Sequence, residues 1–207
     1  NDTVLNSQDQ CPREVPGINP DPDRRGCPAP DRDHDLVPDR TDACPDQPGA
    51  PSSDARRNGC PGIVSFADGL IRINRPVFFA TNRDTILPRS FPVLTAVAET
   101  LRLTPGIRRI SVEGHTDDVG NDDTNMSLSQ RRADSVVRWL TEHQIEASRL
   151  EGHGFGETRP VTPATGLRGR PLTAARAANR RVDFRVTDPS GPAPAAAAPA
   201  AAPTPAP

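Results

Sequence analysis

Asp117 and Arg132 stand 15 residues apart in this 207-residue chain, and together they suit one kind of chemistry. A carboxylate accepts an ammonium, and a guanidinium grips a carboxylate through two parallel hydrogen bonds. Held apart, such a pair takes the zwitterionic head of an amino acid. The same spacing equally describes a surface ion pair, worth at most about 1 kcal/mol and binding nothing. His115 and His153 raise a second option, a metal or general-base site. His115 and Asp117 supply only two ligands, and no third ligand or nucleophile stands at a useful spacing. A packed or surface-satisfied histidine is the expectation, and binding rather than catalysis is the chemistry, so the chain is read as no enzyme.

The elements that must position this pair lie between Ile110 and Ala133, in ISVEGHTDDVGNDDTNMSLSQRRA. Ile110 and Val112 alternate with Ser111 and Glu113, the period of a strand with one buried face, over 107–113. Gly114 and Gly120 bracket a loop rich in Asp, Asn and Thr, whose short side chains bond nearby backbone. Ser127 and Gln130 form a capping box, which predicts a helix over 128–143. Ala133, Val136, Val137 and Leu140 share its apolar stripe, Arg132 falls at the edge, and Arg131 points to solvent. Trp139 sits near the stripe as a packing residue.

The rest of the globular region reads in order. Leu70, Ile71 and Ile73, then Val77 to Phe79, predict one or two strands broken by Pro76. Ser90 is a candidate cap for a helix over 91–103, with Val93, Leu94, Val97, Ala98 and Leu101 on its apolar face and Pro105-Gly106 ending it. Leu150 to Phe155 opens another strand, and Val182, Phe184 and Val186 alternate as the last. Arg168, Arg170, Arg176, Arg181 and Arg185 read as a solvated basic face. The βαβαβ order predicts an α/β sandwich, a mixed sheet with helices packed on one face.

Composition divides the chain into 1–62, 63–188 and 189–207. Net charge is −2, which gives no reason to expect nucleic acid. All 25 basic residues are Arg, read as coding bias, and 25 prolines imply extended segments beside one compact fold. No run of about 18 apolar residues is present to span a membrane as a helix. The opening NDTVLNSQDQCP lacks a signal-peptide pattern and reads as a fragment or mature region. Beyond Asp188 the tail contains only Pro, Ala, Gly, Ser and Thr, and it is expected to be disordered.

Residues 1–62 carry all four cysteines, Cys11, Cys27, Cys44 and Cys60, in an internal repeat of period 33. The shift places Asp2, Asn6 and Asp9 under Asp35, Asp39 and Asp42. An even count in a Pro-rich block indicates disulfides and an oxidising compartment. Of three pairings, Cys11–Cys27 and Cys44–Cys60 close equivalent loops, each worth roughly 3 kcal/mol on the chain-entropy model. Zinc is the competitor, but no Cys-x-x-Cys occurs and His34 is the block's one histidine. Asp31, Asp33, Asp35, Asp39 and Asp42 alternate closely enough to offer hard oxygen ligands to calcium, the alternative being a solvated acidic linker.

GHTD, Asn125, Leu128-Ser129, Arg132-Ala133, GHGFGETRP (152–160) and Asn179-Arg180-Arg181-Val182 resemble the OmpA-like C-terminal domain over about residues 70–186. That family includes peptidoglycan-associated lipoproteins, the periplasmic domains of OmpA and OprF porins, and MotB-type stator anchors. The resemblance implies the same α/β fold and non-covalent binding of peptidoglycan through the diaminopimelate of its stem peptide. Asp117 then takes the ammonium and Arg132 the carboxylate, while Asn82, Thr116, Asn125 and Arg180 line the cleft. Ala80 departs, because FFATN often carries Asp there. The globular domain needs no cofactor. The implied role is to anchor the outer membrane to the wall from its periplasmic side, as part of an OmpA/OprF-like protein. A MotB-like stator or secretion-complex anchor and a Pal-like lipoprotein are the alternatives, with an enzyme on wall peptides a third class. Membrane contact would come only through an upstream barrel or anchor, and a homodimer is an option.

DRDHDLVPDRTDACPDQPG resembles the thrombospondin type 3 repeat, which implies calcium on the acidic residues and paired cysteines. Leu36 stands where that family usually has Gly, and PDPDRRGCP is poor in acids.

Overall fold

Short apolar runs bounded by Gly, Pro and Asn become strands, and longer runs of period 3.6 become helices. In the computed structural model, residues 8–14, 17–67 and 70–188 are described. Asp2, Asn6 and the tail at 189–207 lie outside them. The elements run β1 (Val64–Ala67), β2 (Leu70–Ile73), α1 (Phe91–Leu103), β3 (Arg109–Gly114), α2 (Asp122–Glu142), β4 (Leu150–Gly154), α3 (Gly169–Asn179) and β5 (Val182–Asp188). They build one mixed five-stranded sheet in the order β1-β2-β5-β3-β4. β3 and β4 are parallel, joined through α2, and the other pairs are antiparallel. Phe184 on β5 sits between Ile71 on β2 and Val112 on β3, and all three side chains are buried.

The expected apolar faces form the core. Val93, Leu94, Val97, Ala98 and Leu101 of α1 and Ala133, Val136 and Leu140 of α2 are all buried against the sheet's Ile110, Val112 and Phe184. Arg149, in the short 3₁₀ turn before β4, closes the end of α1: its Nη2 donates to the carbonyls of Leu101 (2.9 Å), Thr104 (3.2 Å) and Ile107 (2.7 Å). The Leu101 carbonyl lies in the last turn of α1, where intrahelical donors run out, while Thr104 O also accepts the Ile107 N–H (3.1 Å).

Four expectations are corrected. α2 begins at Asp122, not Leu128: the Asn121 side chain accepts the N–H groups of Asp123 (2.9 Å) and Thr124 (3.4 Å), and two Asp in the first turn suit the helix dipole. Ser90 precedes α1 but does not cap it. Its hydroxyl instead accepts the Phe78 N–H (2.7 Å) and donates to the Phe78 carbonyl (3.2 Å). The stretch Val77–Phe79 is no strand and makes one isolated bridge, Phe79 to Ile86. The basic face is largely paired: Arg176 lies on α3 and binds Asp118, Arg181 binds Asp183, and Arg185 binds Glu113.

The repeat in 1–62 is visible atom by atom. At an offset of 33, Asp9 and Asp42 each accept the N–H two residues on, from Cys11 (2.8 Å) and Cys44 (2.6 Å). Glu14 and Gln47 each donate to the preceding cysteine carbonyl at 2.8 Å. The disulfides are Cys11–Cys27 and Cys44–Cys60, each with a separation of 16. Gly26 and Gly59 both have positive φ, +81° and +71°, and a Cβ at either would strike the carboxylate of Asp9 or Asp42. The second unit is seated on the sheet domain: Phe66 N–H donates to Gly49 O (2.7 Å), and Leu36 and Ala50 pack against the core.

Candidate ligand-binding cleft

β3 delivers the GHTD motif to one end of the sheet. His115 N–H donates to Arg181 O (3.0 Å) and Thr116 N–H to Gly156 O (2.8 Å), so the loop entry is tied to both neighbouring segments. Asn125, in the first turn of α2, donates to the carbonyls of Asp117 (3.3 Å) and Val119 (3.2 Å) and to Glu157 Oε2 (2.6 Å). It is buried, so it shapes the loop from behind. α2 itself is fixed on β4. Gln130 donates to Gly152 O (2.9 Å) and accepts Gly154 N–H (2.8 Å), and a Cβ at Gly154 would collide with the Gln130 backbone. The rotational setting of Arg132 follows from that contact.

The expected pair is close but not clasped. Arg132 Nε donates to Arg83 O (3.1 Å), and its guanidinium carbon lies 5.0 Å from the centre of the Phe79 ring. Burial holds its pKa below the usual value, the positive charge of Arg180 adds to this, and Asp117 opposes it. Asp117 Oδ2 instead accepts Arg180 Nη1 at 2.5 Å, and Oδ1 accepts the Val119 N–H at 3.3 Å. Sequence spacing could not reveal this pairing, since Arg180 stands 63 residues from Asp117.

Arg132 and Arg180 line a cavity of about 350 Å³ together with Val77, Phe78, Phe79, Arg89, His115 and Arg181. This lies within the size range of small-ligand sites. Of the other expected residues, Thr116 is buried with its hydroxyl unpartnered, and Asn82 is exposed in a turn at φ +55°. Of the expected residues only Arg132 and Arg180 form the cavity wall; Asp117, Thr116, Asn82 and Asn125 do not. Arg89 does, and it carried no local sequence signal. Its guanidinium carbon sits 3.8 Å over the Phe78 ring.

His115 is 2% exposed, stacks on Phe155 with centroids 5.5 Å apart, and has neither ring nitrogen hydrogen-bonded. Burial pushes its pKa down to about 4, Arg181 and Arg159 push the same way, and Asp183 opposes them. Two carboxylates do converge on it, against the sequence reading: Glu113, His115 and Asp183 offer ligand atoms within 4.8 Å of one another. Arg185 and Arg159 already face Glu113 at 3.3 and 3.7 Å, and Arg181 holds Asp183 at 2.8 Å. Those carboxylates are compensated by guanidinium, not left for a metal. His153 is exposed beside Glu151.

In the repeat segment, Asp31, Asp33 and Asp35 bring carboxylate oxygens within 4.8 Å of one another. Asp33 Oδ2 and Asp42 Oδ2 are buried without a partner. Burial pushes Asp35 up to about 6, with Asp33 and Asp42 adding to it and the N–H groups of Gly49 and Val37 opposing. Asp39 is committed elsewhere, to the backbone and Nε of Arg32. Leu36 and His34 hold positive φ, 71° and 63°, which explains why glycine suits the position of Leu36.

Residues 78–173 match the OmpA family. Outer membrane porin F of Pseudomonas aeruginosa is 34% identical over 157 residues, covering 75% of this chain and 41% of the porin. The outer-membrane lipoprotein YfiB of the same organism is 37% identical over 106 residues, 51% of this chain and 59% of the lipoprotein. A MotB-like protein from Desulfovibrio vulgaris superposes with a TM-score of 0.50 at 29% identity, over 62% of this chain and 78% of that one. The chain thus spans less than half the length of the porin, and none of these three relatives is named as an enzyme. Among the described residues no helix is long and apolar enough to cross a membrane. Over 78–173 the chain is thus similar to the OmpA family, and more widely to an outer-membrane porin and an outer-membrane lipoprotein.

Proposed function

We propose that the cleft binds peptidoglycan without covalent chemistry, holding the diaminopimelate head of the stem peptide between Asp117 and Arg132. The observation that carries this is the state of Arg132: its Nε is used on the Arg83 carbonyl, its side chain lines the cavity, and no carboxylate stands at ion-pair distance from it among the described residues. A guanidinium so placed offers two parallel donors to a carboxylate. Asp117 accepts the ammonium as Arg180 moves aside. Arg180 completes the rim, with Thr116 buried behind the loop, and the domain anchors the outer membrane to the wall from its periplasmic side. Porin-like, stator-like and lipoprotein contexts share this step, and the full-length gene product distinguishes them. The test is sedimentation with purified sacculi. Asp117→Ala or Arg132→Ala is expected to weaken binding at least tenfold, with the circular dichroism spectrum unchanged. Undiminished sedimentation of both variants would overturn the reading.

The repeat segment supports a second, separate reading, calcium binding at Asp31, Asp33 and Asp35 with Asp42 adjacent. Buried, unpartnered carboxylate oxygens in close company fit a hard divalent cation. Asp39 falls out of the set because Arg32 holds it. Calorimetric titration of the whole chain with calcium is expected to give heat that Asp33→Asn removes; an absence of heat in the parent chain refutes it.

A further inference from the structure

The charges around the cleft do not balance. Four guanidiniums line the cavity, from Arg89, Arg132, Arg180 and Arg181. Two have carboxylate partners, Arg180 with Asp117 and Arg181 with Asp183. Arg89 and Arg132 have none at ion-pair distance among the described residues. They are nevertheless held in place, each over one ring of the Phe78-Phe79 pair, at 3.8 and 5.0 Å. Cation–π contact of this kind fixes a guanidinium plane without using its donors. The backbone beneath Arg89 is fixed too. Its neighbour Ser90 is fully buried and exchanges two hydrogen bonds with Phe78, the residue whose ring Arg89 covers. Arg89 is therefore anchored to the cavity wall through both its ring contact and its chain neighbour.

Two uncompensated and preorganised guanidiniums in one cavity ask for two anionic groups on the guest. Like charges crowded together repel, and a ligand that neutralises only one leaves the other unpaid for. We propose that Arg89 is a second carboxylate anchor, so that the cleft selects a stem peptide whose glutamyl α-carboxylate is free beside the diaminopimelate carboxylate and discriminates against the same peptide amidated at that glutamyl residue. This rests on the peptidoglycan reading and specifies its ligand. The diaminopimelate carboxylate lies on Arg132, and the α-carboxylate of the neighbouring glutamyl residue lies on Arg89. A carboxamide at the second position keeps the shape, loses the charge, and turns donor hydrogens towards the Arg89 donors.

The experiment is calorimetric titration of the whole chain, at constant ionic strength, with the tripeptide L-Ala-γ-D-Glu-meso-diaminopimelate and with its glutamyl α-carboxamide. The parent protein is expected to bind the form with the free glutamyl α-carboxylate at least tenfold more tightly. Arg89→Gln is expected to lose about tenfold for that form and almost nothing for the amide, closing the gap between them. Equal affinity of the parent protein for both peptides, or an unchanged gap in Arg89→Gln, overturns the second anchor and leaves the Asp117/Arg132 site standing. No binding of either peptide to the parent protein overturns the peptidoglycan reading and the anchor with it.

Discussion

The repeat segment and the α/β domain order their chains by opposite means. In the domain, apolar side chains from sheet and helices bury one another, and secondary structure satisfies most of the backbone. In the repeat segment the buried apolar residues are few, notably Cys27 and Val37, and acidic side chains satisfy the backbone instead. Asp9, Asp31, Asp35 and Asp42 each accept backbone N–H groups, and Asp35 joins Val37 to Gly49 across the segment. One region is held by the loss of water from hydrocarbon, the other by carboxylates and disulfides. A chain too poor in apolar residues to bury a core can still hold a single conformation by this second route.

The largest test of the contrast lies at Phe184, where the sheet is most deeply covered. Phe184→Ala is expected to cost about 4 kcal/mol in the thermal unfolding of the domain, while hydrogen exchange in 8–14 and 17–30 stays as it was. Replacing Cys44 and Cys60 together by Ser should cost the second repeat unit about 3 kcal/mol, read as lost amide protection in 40–60 with the sheet domain still folded. If the sheet unfolds with it, the two regions are one cooperative unit and the contrast fails. The buried His115 supplies the third. Its neutral form is favoured by the fold, with a pKa near 4 against an ordinary 6.5, so an unfolded chain takes up a proton that the folded one refuses. Stability is full above pH 6.5 and is lost as pH falls, by about 2 kcal/mol between pH 7 and 5. Chemical denaturation at both pH values should show that loss in the parent and not in His115→Gln. The smallest effect is expected at Ser90, which uses within the domain the side-chain-to-backbone tether typical of the repeats. Ser90→Ala should cost about 1 kcal/mol by denaturation.

Local patterns were legible where one segment decides the outcome. The bounds of α1 follow from its apolar stripe and the Pro-Gly at its end, and the strict alternation in Val182–Val186 marks β5. The 33-residue period was enough to favour the disulfides observed. The start of α2 was misread because Asn121, Asp122 and Asp123 suit a turn as well as a helix cap, and only the next two N–H groups decide between them. α3 escaped notice because only Ala175 and Asn179 on it are buried, which leaves no stripe to read. β1 is four residues long and gains its meaning from pairing with β2. The cleft was half legible. Asp117 and Arg132 belong to one strand-loop-helix unit, but Arg180, Arg89 and Asp183 enter from distant parts of the chain. No spacing rule reaches that far.

On the proposed reading, the Arg180 contact is an internal rival for the guest. In the unliganded state the Asp117 carboxylate already has a cation, so it does not sit unneutralised at the foot of a loop. The ammonium of the proposed ligand would therefore exchange one partner for another instead of meeting a bare charge. Such an exchange makes arrival less favourable and departure easier, because the resident guanidinium waits nearby to reclaim its place. Attachment of the kind proposed would come from many weak, renewable grips, suited to a mesh that is continually cut and resealed.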